Sequence, residues 1–201
     1  MIVKKYMSKL IHNFFSEYIK SVKSLNLAQI DTLAKDIKRI KDNKGRIFFL
    51  GVGGSAGNAT HAVNDFRKLC NIEAYCVTDN VSELTARIND EGWDTSFSNW
   101  LKISNLNHKD AVFVFSVGGG NLKKKVSVNI VNAIKFAKSK RTKVFGVVSR
   151  DGGYTKKSGD NVILIHVENK KFVTPISEAI QPVIWHYLVS SKFLKHNKTK
   201  W

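Results

Sequence analysis

The sequence predicts an α/β fold with a five-stranded parallel sheet flanked by helices, and three observations carry that expectation. Five short apolar runs, Ile47 to Val52, Ala74 to Val77, Ala111 to Ser116, Val144 to Val148 and Val162 to Val167, are too short and too continuous for helices. They suit strands buried on both faces. Helical stretches lie between them, starting near Ser55, Ser82, Asp94 and Asn121, with a last one from Pro175; strands alternating with helices are the pattern of a parallel sheet. Two of the runs also pass directly into glycine-rich turns, Gly51 to Gly57 and Ser116 to Asn121.

Two helices precede this core. Ile2, Val3, Tyr6, Met7, Leu10, Ile11, Phe14, Phe15, Tyr18, Ile19 and Val22 recur at three- and four-residue steps and put a broad apolar stripe on one long helix. That stripe is wider than one sheet edge needs, which points to self-association. Leu27, Ile30, Leu33, Ile37 and Ile40 define a second helix, with Asn26 as N-cap and Asn43 to Gly45 as its stop. The chain has only two prolines and no low-complexity linker, so residues 1–201 read as one domain: helices over 1–45 and an α/β core over 46–197.

At 201 residues and 43% hydrophobic content the chain can bury a sizeable core. No stretch approaches the roughly 20 apolar residues of a spanning helix, and charges are spread along the first 23 residues, unlike a secretory signal. The expected location is the cytoplasm, with no membrane partner. The formal net charge of +17 favours anionic partners. Its lysines are spread over every segment, denser at Lys123 to Lys125, Lys170, Lys171 and Lys195 to Lys200, without interleaved aromatics, which disfavours nucleic acid as the partner. Cys70 and Cys76 lack the spacing of a zinc ribbon or redox motif and read as buried small hydrophobes.

The first strand runs into Gly51-Val52-Gly53-Gly54-Ser55-Ala56-Gly57. A strand-to-helix junction of this kind aims unpaired N–H groups at an anion, and Ser55 adds a hydroxyl. A dinucleotide site would need G-x-G-x-x-G, and the third glycine is replaced by Ala56. Ser116-Val117-Gly118-Gly119-Gly120-Asn121 repeats the device after the third strand. At the carboxyl ends of neighbouring strands the two loops would converge on one crevice. Ser149 to Gly153 is a third turn on the same side.

His61 and Asp65 are four residues apart on the helix after the first loop and share a face. Glu178 and His186 are eight apart on the last helix, about 80° around its axis. Histidine with carboxylate suits the proton transfers of an aldose–ketose isomerisation; the same four side chains offer nitrogen and oxygen ligands for zinc, and packing alone would also accommodate them. Asn89 and Asp90, in Asn89-Asp90-Glu91-Gly92-Trp93, either contact sugar hydroxyls or belong to a turn anchored by Trp93.

Gly53-Gly54-Ser55-Ala56 with His61 downstream, Leu84-Thr85-Ala86 before Asn89-Asp90-x-Gly92, and Asp151-Gly152-Gly153 resemble the phosphoheptose isomerases over nearly the whole chain. The resemblance implies the three-layer sugar isomerase (SIS) fold and a homotetramer with sites at subunit interfaces. It also implies conversion of sedoheptulose 7-phosphate to D-glycero-D-manno-heptose 7-phosphate for lipopolysaccharide or capsule precursors. The family's Gly-Gly-Ser loop falls on Gly53, Gly54 and Ser55, its helix histidine on His61, and its catalytic glutamate on Asp65. Its serine-rich phosphate loop falls on Ser116 to Asn121, where only the first serine and the central glycine are kept; Gly118, Gly119 and Gly120 offer backbone amides instead. On the last helix an ungapped match places Trp185 on the family's histidine. A shift by one residue places Glu178 on its glutamine and His186 on its histidine, and Pro182 between them offers a kink that re-phases the helix. The resemblance thus implies Asp65 and His186 as catalytic residues and zinc on His61, Asp65, Glu178 and His186. A second reading is a non-catalytic SIS protein that binds a sugar phosphate or a protein partner as a regulator.

Overall fold

The computed structural model describes residues 2–199, with side chains from residue 9 onward. The side chains of Ile2, Val3, Tyr6 and Met7, and the tail residue Lys200, lie outside that description. The elements run α1 (Ile2–Lys23), α2 (Leu27–Asp42), β1 (Ile47–Leu50), α3 (Gly54–Cys70), β2 (Ala74–Cys76), α4 (Val81–Glu91), α5 (Trp93–Ile103), β3 (Ala111–Ser116), α6 (Val128–Ser139), β4 (Lys143–Ser149), α7 (Gly153–Ser158), β5 (Asn161–Ile165) and, after a short 3₁₀ turn, α8 (Val173–Ser190). Among the described residues no helix is long and apolar enough to cross a membrane.

All five strands are parallel, in the order β2-β1-β3-β4-β5. Alternation along the strands splits the core in two. Ile47 and Phe49 face Leu33 and Ile37 of α2, Phe66 of α3 and Ile180 of α8 on one side. Phe48 and Leu50 face Phe97 of α5 and Ile134 of α6 on the other. The result is a three-layer arrangement of helices, sheet and helices, with strands buried on both faces as their apolar runs require. The exception is edge strand β2, where Tyr75 is exposed.

The caps follow the sequence. Asn26 Oδ1 accepts from Gln29 N–H at 3.0 Å to start α2, and Lys44 takes a left-handed conformation just past its end. Buried Glu17 ties α1 to the turn before α8, its Oε1 accepting from Glu168 N–H and Asn169 N–H. One face of α1, with Phe14, Tyr18 and Val22, packs on the core. The other leaves Leu10, Ile11, Phe15 and Ile19 exposed. Helix α4 buries none of its residues. Cys70 and Cys76 are free and buried as expected, and burial pushes the Cys70 thiol up to about 12.

One expectation is corrected, and one helix is added. The helix foreseen from Asn121 begins at Val128. Residues 121–126 instead form a tight antiparallel turn in which Asn121 and Val126 exchange backbone hydrogen bonds. The turn Ser149 to Gly153 leads into α7, a helix too short to leave a periodic signal. Pro182 lies inside α8, which continues through it.

Candidate functional site

β1 and β3 are neighbours in the sheet. β1's next connection turns to β2 and β3's to β4, so their carboxyl ends flank the point where the strand order reverses, the usual ligand crevice of an open α/β sheet. The two glycine loops therefore meet at one rim. Between them lies a cleft of about 460 Å³ lined by Ser55, Ser116, Gly118, Gly120, Asn121, Lys124, Ser127, Arg150, Asp151, Thr174 and Glu178, among others.

Each loop supplies amides for a different reason. Gly53 sits at φ +62 ahead of α3, and the N–H groups of Gly54 and Ser55, at the start of the helix, have no intrahelical partner. In the second loop the amide of Gly119 is committed, donating to Ser116 Oγ at 3.0 Å. Those of Gly118 and Gly120 make no hydrogen bond among the described residues. The carbonyls of this loop cap α7: Gly119 O accepts from Thr155 N–H and Thr155 Oγ1, and Gly120 O accepts from Tyr154 N–H. A Cβ on Gly119 would overlap the Gly152 carbonyl, and one on Gly153 would overlap the Gly118 carbonyl. The glycines thus let two turns stack backbone on backbone, and two of the three loop amides remain without a partner among the described residues.

The other half of the site is the seam between α3 and α8. Asp65 is buried, with Oδ1 accepting from Asn64 Nδ2 at 2.8 Å and Oδ2 3.8 Å from Nε2 of exposed His186. The His61 ring stands edge-on to Trp185 at 4.7 Å and to His186 at 5.6 Å between centroids. One ligand atom from each of His61, Asp65 and His186 lies within 4.8 Å of the others. The buried stripe of α8, Ile176, Ile180, Ile184 and Leu188, takes Trp185 into the core and leaves His186 facing Asp65.

Glu178 does not join this group. It lies near the start of the seam, its carboxylate against Gly54, where a Cβ would meet Glu178 Oε1 at 2.8 Å, and it lines the cleft. Eight residues of helix separate it from His186, about 12 Å of rise, so of the four expected ligands three stand together here. Asn89 and Asp90 lie at the exposed end of α4, Asn89 Nδ2 donating to Asp90 Oδ1, and are not among the residues lining the cleft. Lys124, Arg150, Ser127 and Thr174 line it without having been expected there. The Lys123 to Lys125 run held one of them and the turn Ser149 to Gly153 another.

The family model described as "SIS domain" matches residues 12–149. "Probable phosphoheptose isomerase" of Thermoplasma volcanium is 30% identical over 162 residues, covering 76% of this chain and 79% of that protein. A phosphoheptose isomerase structure from Francisella tularensis superposes with TM-score 0.77 at 21% identity, covering 94% of this chain and 97% of the other. One from Neisseria gonorrhoeae does so with TM-score 0.77 at 22% identity and the same coverages; at these identities the two structures establish a shared fold.

Proposed function

Because the chain belongs to the SIS domain family, among its phosphoheptose isomerases, we propose that it is an aldose–ketose isomerase acting on sedoheptulose 7-phosphate and forming D-glycero-D-manno-heptose 7-phosphate for surface-polysaccharide precursors. The observation that carries the reading is the pairing of an amide-lined cleft at α3's N-terminus with a His–Asp–His group further along the same helix. From Gly54 to His61 is seven residues, about 10 Å of helix. That separation suits a substrate whose phosphate and reacting carbons lie at opposite ends of a long chain.

The phosphate is held by Ser55, Ser116, the amides of Gly54, Ser55, Gly118 and Gly120, and the charges of Lys124 and Arg150. Asp65 takes the proton from carbon 1 of the ketose, the carbon 2 oxygen gains a proton, and an enediol forms. A proton is then returned to carbon 2 while the carbon 1 oxygen loses its own. His186, facing Asp65, exchanges the oxygen-bound protons. Glu178, beside Gly54, contacts the hydroxyls between the two ends.

The donor set of His61, Asp65 and His186 fits zinc, since two imidazoles and one carboxylate make a three-ligand site that keeps a position open for substrate. Bound there, the ion supplies Lewis-acid polarisation of a substrate oxygen. Protein prepared without chelator and supplemented with zinc is expected to carry about one zinc per chain. By elemental analysis that metal is lost in H61A/H186A and retained in E178Q; a metal-free wild type contradicts the assignment.

A tetramer with sites at subunit interfaces agrees with the uncovered apolar face of α1 and with α4, none of whose residues is fully buried within its own chain. Assembly would also bring covered surface to Asn89 and Asp90. The reading is tested by incubating the protein with sedoheptulose 7-phosphate and following the aldose anomeric carbon by NMR, with unphosphorylated sedoheptulose as control. Conversion of the phosphate alone is expected; no conversion of either leaves a binding protein.

A further inference from the structure

We propose that Gln181 is a positioning residue that turns the Ser55 hydroxyl into a dedicated donor toward the substrate's phosphate. It rests on the phosphate reading of the cleft and follows from hydrogen-bond directions that the chain sets for itself. The backbone carbonyl of Glu178 can only accept. Asn58 faces it at 2.9 Å and must therefore present its amide nitrogen there. The same nitrogen reaches Gln181 at 2.8 Å, so Gln181 must present its oxygen to Asn58. That leaves the Gln181 nitrogen facing Ser55 Oγ at 3.1 Å as donor. Neither amide can be flipped without leaving two like groups in contact, because the series starts from a group with one polarity.

Gln181 is fully buried and Ser55 is 2% exposed. A buried amide amid Ile176, Ile180 and Ile184 is costly unless its bonds are made, and both ends of this one are engaged. Ser55 Oγ accepts from behind, and its own hydrogen is donated to no group among the described residues. Ser55 lines the cleft, so that hydrogen is available to a phosphate oxygen. Without Gln181 the hydroxyl is free to rotate and bond back to the preceding turn, the usual competitor for a serine in a helix.

The test is calorimetric titration with inorganic phosphate of the wild type, S55A, Q181M, N58A and the doubles Q181M/S55A and N58A/S55A, with unfolding midpoints measured alongside. Q181M keeps the volume and removes the donor. N58A, at a half-buried position, lets the Gln181 amide turn over. S55A and Q181M are each expected to weaken phosphate about ten- to hundredfold, the usual scale for one hydrogen bond to a charged group, and N58A a few-fold. Both doubles should bind like S55A alone, because the other two residues act only through Ser55. In turnover, Q181M should raise KM far more than it lowers kcat. Full additivity with S55A, or unchanged affinity in Q181M and N58A, overturns the proposal. If the wild type binds phosphate and S55A matches it, the Gln181 role falls and the cleft reading stands; a wild type that binds no phosphate removes both.

Discussion

D65N is expected to lower turnover of the sugar phosphate by about 10²–10⁴-fold, the range for loss of a general acid–base group, while the protein stays folded. Asparagine keeps the shape of the side chain, and its oxygen can still accept from Asn64 Nδ2 where Asp65 Oδ1 now does. What it loses is the carboxylate charge and the oxygen facing His186 Nε2. H186A should fall in the same range with little change in stability, since His186 is half exposed and surface substitutions seldom exceed about 0.5 kcal/mol. Because the two face each other, D65N/H186A should be no slower than the worse single variant. Steady-state kinetics with thermal unfolding checks all three. A D65N protein that keeps more than about a tenth of wild-type turnover would remove Asp65 from the chemistry.

G119A is expected to be the most damaging single substitution in the phosphate loop. Gly119 lies at φ +67, and its Cβ would overlap a backbone carbonyl, that of Gly152, which no side-chain rotation can relieve. The collision pushes apart the turns whose hydrogen bonds start α7, through Gly119 O to Thr155 and Gly120 O to Tyr154. Strained backbone plus lost loop bonds should cost about 2 kcal/mol or more, lowering the unfolding midpoint by roughly 4–8 °C for a chain of this size. G118A is the control: a Cβ there meets nothing within 4 Å, so its midpoint should stay put. Equal midpoints for G119A and wild type would show that the stacked turns are not held as described.

The fold was legible because its signals were strong and local. Strands buried on both faces leave continuous apolar runs, and Gly51 to Gly57 could only be a strand-to-helix bend. The second loop departs from its sequence pattern for a specific reason. Asn121 Oδ1 does accept from the N–H three residues on, at Lys124, which is the bond of an N-cap. Here that bond closes a turn, with Lys125 and Ser127 left-handed, and the helix waits until Val128. Nothing in residues 122–126 distinguishes the two outcomes locally.

In the site, spacing put His61 and Asp65 on one helix face, and His186 was placed only by the family resemblance; in the structure the apolar stripe of α8 buries Trp185 and turns its neighbour outward. The place of Glu178 was not legible, because an angle of about 80° says nothing of the 12 Å of rise that parts it from His186. Lys124 and Arg150 enter the cleft through turns whose geometry depends on the stacked glycines. Gln181 could have been noticed as a polar residue set in an apolar stripe.

The most direct measurement is proton NMR of sedoheptulose 7-phosphate incubated with the protein in D₂O. Proton transfer through an enediol predicts an aldose heptose phosphate carrying solvent deuterium at carbon 2, formed by wild type and not by D65N. A folded wild-type protein that leaves the ketose unconverted and unexchanged would contradict the account.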